Sequence, residues 1–167
     1  MAPRSRWRWS RAPPRIASLC TRLTANLRDR GLDASKGLLF VIDGSKALSK
    51  AIRAVWGDTA LIQRCRLHKE RGILDHLPDA EHDWVRRKLR TAWQLTDADQ
   101  AKRDLEALAR ALARKHPGAA GSLREGLDET LTITRLGITG TLLAGGVFDQ
   151  PGRGGLSHLF LGDVSAA

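Results

Sequence analysis

The chain is 167 residues long, the size of one ordinary domain with a core of its own, and carries a formal net charge of +10 with an isoelectric point near 10.7. That balance favours a polyanionic partner, nucleic acid first, because clustered Arg and Lys release counterions when they neutralise phosphates. No run approaches the roughly 20 apolar residues that span a bilayer, no secretory segment is recognisable, and two cysteines, Cys20 and Cys65, make no disulfide framework; a cytoplasmic location without membrane contact is expected.

The charge is uneven. Residues 1–30 hold eight arginines against one acid, Asp29, so the remaining body is only moderately basic. Residues 1–18 mix Arg, Trp and Pro without helical or strand period, and Pro13-Pro14 blocks a regular element, so this stretch reads as a disordered arm. Arg4, Arg6 and Arg8, interleaved with Trp7 and Trp9, are candidate DNA contacts, phosphate for the guanidinium and base stacking for the indole; a solvated tail without function fits the same residues.

From Leu19 the pattern changes. Leu19, Leu23 and Leu27 recur every four residues up to Gly31, which predicts a short amphipathic helix. Residues 38–43 (LLFVID), bounded by Gly37 and Gly44, suit a strand buried on both faces. Ser45 can cap a helix over Ala47–Val55 that ends near Gly57, and Ala60–Gln63 reads as a second strand. Strand, helix and strand within about thirty residues make a βαβ unit with parallel strands. Helical patterns follow at Leu67–Leu77, at Trp84–Trp93, at Ala101–Leu112 before Lys115-His116-Pro117, and at Ala120–Leu131. Residues 137–167 hold eight of the sixteen glycines and no lysine, and read as unstructured.

Asp43 is the most informative residue. It closes a buried strand, where open α/β sheets place ligands, and its carboxylate suits a hard cation such as Mg²⁺. Taken alone, Asp43-Gly44 more often marks a turn in which the Asp side chain caps the next helix. Cys65 and His68, three apart, resemble half of a zinc site, but the other half is missing, and a buried thiol beside a hydrogen-bonded imidazole is the commoner arrangement. A Cys–His nucleophile lacks any oxyanion site nearby.

The stretch Gly37–Pro78, with its apolar strand ending in Asp43-Gly44, the helix at Ser45–Trp56 and the segment Gln63-x-Cys65-x-x-His68-Lys69, resembles the Mutator-type transposases of bacterial insertion sequences. Ala101–Pro117 and Leu127–Gly137 are similar to that family's helical insertion, so the likeness covers about Leu19 to Leu143. The resemblance implies a DDE transposase that cuts and joins DNA on an RNase H-like core, with an Asp, Asp, Glu triad holding two Mg²⁺ and Asp43 as the second carboxylate. Cys65 and His68 then match the family signature after that Asp, in a structural role that holds the strand end and the next helix; Gln63 and Lys69 match it without an assigned role.

The family's first Asp strand has no counterpart before Leu19. After Thr132-Ile133-Thr134-Arg135-Leu136-Gly137 the chain runs into Gly-rich sequence with no later Glu. The expectation is a truncated or frameshifted fragment, catalytically silent alone: an α/β protein with an arm at 1–18, a partial RNase H-like core at 19–64, a helical insertion bundle at 65–136 and a Gly-rich tail at 137–167. Its expected partners are transposon-end and target DNA, and itself or an intact transposase as an oligomer. The rival reading is a non-catalytic module that binds DNA or an intact transposase.

Overall fold

The computed structural model describes residues 14–32, 37–138 and 160–163 of the chain. In chain order they form α1 (Pro14–Asp29), β1 (Leu38–Ile42), α2 (Lys46–Trp56), β2 (Ala60–Arg64), α3 (Arg66–Leu74), α4 (Asp79–Gln94), α5 (Ala98–Ala113), α6 (Pro117–Arg124), α7 (Thr132–Arg135) and β3 (Phe160–Asp163). Single turns of 3₁₀ helix at Gly57–Thr59 and Asp128–Thr130 lead into β2 and α7. The protein is therefore α/β with helix predominating, and no helix among the described residues is long and apolar enough to cross a membrane.

The sheet has the order β2-β1-β3, which makes β1 central. All five residues of β1 are buried, as a strand flanked by neighbours on both edges requires. β1 and β2 are parallel, with Leu38 opposite Ala60 and Ile42 opposite Arg64, the arrangement expected of the βαβ unit. β3 runs antiparallel to β1, Leu38 pairing with Asp163. It lies within the Gly-rich tail that the sequence reads as unstructured; that reading is corrected at these four residues, and the rest of 139–167 lies outside the described residues.

Two apolar clusters organise the interior. One joins the sheet to α2 through Phe40, Ile42, Ile52 and Ile62, with the rings of Phe40 and Trp56 4.9 Å apart and tilted by 40°. The other lies within the helices from α3 to the turn after α6, where Val85, Leu89, Leu105, Leu112 and Leu123 are almost wholly buried. α5 owes its boundary to Asp97, whose carboxylate accepts hydrogen bonds from the amides of Asp99 and Gln100 at 2.9 and 3.1 Å and is held below its ordinary pKa by them. α6 starts with Pro117 in its first turn, where the missing N–H costs nothing.

Three further expectations are corrected. α1 begins at Pro14, so the last residues assigned to the arm are helical; Pro at a helix start is tolerated, and only residues 1–13 of the arm lie outside the described residues. Only the last leucine of the repeat on α1 faces inward. Leu19 and Leu23 are exposed, 65% and 51%, while Cys20 and Leu27 pack on the sheet cluster and Thr24 is fully buried, its hydroxyl donating to the carbonyls of Cys20 and Thr21. Finally, the helix read through Ala120–Leu131 is broken. α6 ends at Arg124, and Gly126 turns the chain with φ of 62° into the 3₁₀ turn.

Candidate active site

At the carboxyl end of β1 the chain leaves the core abruptly. Ile42 is fully buried and Asp43 is exposed. The Asp43 carboxylate accepts a hydrogen bond from the Ser45 amide at 3.1 Å, and the Ser45 hydroxyl accepts from the Leu48 amide at 3.3 Å to cap α2. Asp43 thus serves the turn, as the simpler reading of the Asp-Gly pair expects, and Ser45 supplies the helix cap. The same geometry presents the carboxylate beyond a strand end. Its charge also reaches Cys20 on α1, whose thiol is raised above its ordinary pKa by burial and then by Asp43.

β2 ends level with β1, Arg64 opposite Ile42, and its last side chain reaches the turn that follows Asp43. Arg64 is 6% exposed. Its guanidinium donates to the Gly44 carbonyl at 3.0 Å and to the Glu125 carbonyl at 2.6 Å, while its Nε is buried without a hydrogen-bond partner among the described residues. Lys69 on α3 donates to the carbonyls of Ser122 and Glu125. Two buried cations therefore satisfy the last carbonyls of α6, where a helix carries its partial negative charge. Burial, reinforced by Arg64 and opposed by Glu125 and Glu129, brings the Lys69 ammonium down to about 8.

Gln63, the neighbouring residue on β2, is 1% exposed. Its amide donates to the Thr130 carbonyl at 3.1 Å and accepts from the Ile133 amide at 3.0 Å, and the Thr132 hydroxyl donates to the Ile62 carbonyl at 2.6 Å. Arg66 donates to the carbonyls of Thr130 and Trp93 and to the Thr134 hydroxyl at 3.0, 2.9 and 2.8 Å. Residues 125–134 are in this way bound onto the carboxyl end of β2. On the outer side, Glu125 meets Lys46 at 2.6 Å, which holds its carboxyl below the ordinary range, and Glu129 meets Arg53 at 3.5 Å.

Cys65 is partly buried and heads α3 through its backbone alone: its amide donates to the Ile42 carbonyl at 2.7 Å, prolonging the ladder between the two strands. His68, one turn along α3, is exposed. No group of three or more His, Cys, Asp or Glu side chains that could hold a metal ion occurs among the described residues. Arg4, Arg6 and Arg8 lie outside the described residues. Sequence reasoning passed over Arg64 and left Gln63 and Lys69 without a role. A Gln-Arg pair closing an apolar strand was the available signal, since buried polar residues at a strand end need partners from elsewhere in the chain.

Residues 17–139 match the protein family described as Transposase, Mutator family. The chain is similar to the transposase for insertion sequence element ISRM5 of Rhizobium meliloti (strain 1021), at 37% identity over 111 residues, 66% of this chain and 27% of the relative. It is similar also to the transposase for insertion sequence element IST2 of Acidithiobacillus ferrooxidans, at 29% identity over 65% of this chain and 36% of the relative. A third relative, the transposase for insertion sequence element IS6120 of Mycolicibacterium smegmatis, is 28% identical over 65% of this chain and 33% of its own length. The chain thus spans about a quarter to a third of the length of these curated relatives. No solved structure matches.

Proposed function

The chain belongs to the Mutator family of transposases, and from that premise we propose that Asp43 is a metal-facing carboxylate of a site that cuts and joins the DNA of an insertion element. β1, α2 and β2 would then be part of an RNase H-like core, acting on transposon ends and target DNA. One observation carries the reading: Asp43 stands exposed beyond a fully buried central strand, within the matched region, where α/β sheets hold their ligands.

The described residues do not fit a pair of Mg²⁺ ions. Two-metal clamping of a phosphodiester needs several carboxylates around one point, and Asp43 is one, with no metal-holding group around it among the described residues. No cleavage step is therefore derived for this chain. Asp43 would contribute a single ligand, and this chain would be catalytically silent by itself, requiring carboxylates from elsewhere, such as those of an intact transposase.

The test has two parts. Mn²⁺ added to the purified chain should broaden the amide resonances of Asp43, Gly44 and Ser45, and Asp43→Asn should abolish that broadening; equal broadening in the variant removes Asp43 from metal binding. Cleavage or joining of transposon-end DNA by the chain alone in Mg²⁺, lost in Asp43→Ala, would overturn the proposed silence.

A second reading is a non-catalytic module that binds DNA or an intact transposase. The exposure of Leu19 and Leu23 on α1 favours it, since adjacent outward leucines are a common feature of helix-pairing faces. Deleting residues 1–13 leaves α1 whole; DNA binding that vanishes with them would support an arm-based module over a surface of the folded body.

A further inference from the structure

Three exposed cations, Lys46, Lys50 and Arg53, share one face of α2. Their spacing of four and three residues stacks them in a row along the helix. The row begins three residues beyond Asp43 and extends about 10 Å, at roughly 1.5 Å per residue. Each strand of a duplex carries a phosphate about every 3.4 Å of axis, so the row matches the rise of about three phosphates.

Two carboxylates lie against the ends of this row. Glu125 is 2.6 Å from the Lys46 ammonium, and Glu129 is 3.5 Å from the Arg53 guanidinium. Lys50, between them, has no ion-pair partner among the described residues. The backbone that carries both acids is fixed from beneath, by Arg64 and Lys69 on the Glu125 carbonyl and by Gln63 on the Thr130 carbonyl. Their side chains can therefore swing off the row while the segment stays in place.

We propose that the row on α2 is a track for the phosphate backbone of duplex DNA leading to Asp43, and that Glu125 and Glu129 hold its two ends until phosphates displace them. This deepens the DNA-acting reading above and rests on it. The exchange favours DNA because exposed ion pairs are weak and screened, whereas a duplex offers a denser charge and releases bound counterions. The carboxylates act as a built-in competitor that loosens binding to any single acid but yields to an array of phosphates.

The experiment is a fluorescence-anisotropy titration of the full chain with a short labelled duplex over a range of salt concentrations. Replacing Lys46, Lys50 and Arg53 together by Ala should weaken binding on the order of tenfold and reduce the slope of log affinity against log salt by about 1 to 3. Replacing Arg103, Arg110 and Arg114, three exposed cations on and just beyond α5, makes the same change in net charge and should have a much smaller effect. Glu125→Gln with Glu129→Gln should tighten binding severalfold, a gain that misfolding does not produce. Equal losses in the two triple variants, or no gain in the Gln pair, would overturn the track, leaving the DNA-acting reading intact. A parent chain that fails to bind the duplex at all would overturn both.

Discussion

The Arg64 guanidinium occupies the space that a side chain on Gly44 would need: it donates to the Gly44 carbonyl at 3.0 Å, and a Cβ at Gly44 would lie 2.7 Å from its Nε. Gly44 also has φ of 107°, a conformation that L side chains rarely adopt. The residue after the candidate metal ligand is therefore glycine for two reasons, one local and one imposed by a residue twenty positions away. Gly44→Ala should destabilise the fold by about 1–3 kcal/mol from backbone strain alone, and more with the close contact. In an Arg64→Ala background the added cost should shrink, giving a coupling of about 0.5–3 kcal/mol in a double-mutant cycle by chemical denaturation. Strict additivity would mean that the contact carries no energy.

Gln63 makes a different prediction, because it is buried with both ends of its amide engaged. Gln63→Leu roughly keeps the volume but takes the Gln63 contact from the Ile133 amide and the Arg64 carbonyl, and leaves the Thr130 carbonyl to Arg66. The expected cost is about 1–3 kcal/mol. The loss should be local before it is global: hydrogen exchange at the Ile133 amide should accelerate ahead of exchange in α5. Uniform acceleration across both would show that Gln63 does not specifically bind this segment to β2.

Lys69 ties stability to pH. Burial lowers its ammonium to about 8 in the folded chain, against 10.5 as the ordinary value. Between these values the unfolded chain retains the proton that the folded chain has released. Stability therefore rises with pH across roughly 8 to 10.5, where more protons are bound unfolded than folded, and the charged form weighs against folding below that window. The melting temperature of the parent minus that of Lys69→Met, measured from pH 7 to 10.5, should increase with pH. A flat difference would sink the assignment, and subtraction removes the opposing contribution of the raised Cys20 thiol.

These residues also mark where sequence stops being informative. β1, β2 and the periodic helices were legible because their burial repeats locally: Ala101, Leu105, Leu108 and Leu112 on α5 are all buried as their spacing requires. Asp43 was legible because a carboxylate ending an apolar strand has few places to go. The inward face of α1 was not, since Thr24 satisfies its own hydroxyl within the helix and packs as an apolar residue, leaving Leu19 and Leu23 outside. Nor was the break after α6. Gly126 turns where Arg64 arrives from β2, and a Cβ there would lie 2.5 Å from the guanidinium; the cause is sixty-two residues away from the effect. Cys65 and His68 drew attention by type and spacing, yet the link between strand and helix runs through the Cys65 amide, which any non-proline residue has.

The last prediction concerns Arg66, whose fork spans three elements. Its Nε, Nη1 and Nη2 donate to the Thr130 carbonyl, the Trp93 carbonyl and the Thr134 hydroxyl, and the guanidinium lies 6.0 Å from the centre of the Trp93 ring. Lysine preserves the charge but offers a compact ammonium on a flexible stem, unable to reach all three acceptors in one plane. Arg66→Lys should therefore cost about 2 kcal/mol or more, with the denaturation slope unchanged if the unfolded chain is unaffected. Arg103→Lys on the exposed face of α5, where the guanidinium bonds to Gln100 at 2.8 and 3.2 Å, should fall within about 0.5 kcal/mol of the parent. If the two variants were equally stable, charge at position 66 would suffice and the planar fork would carry no weight in joining α3 to α4 and α7.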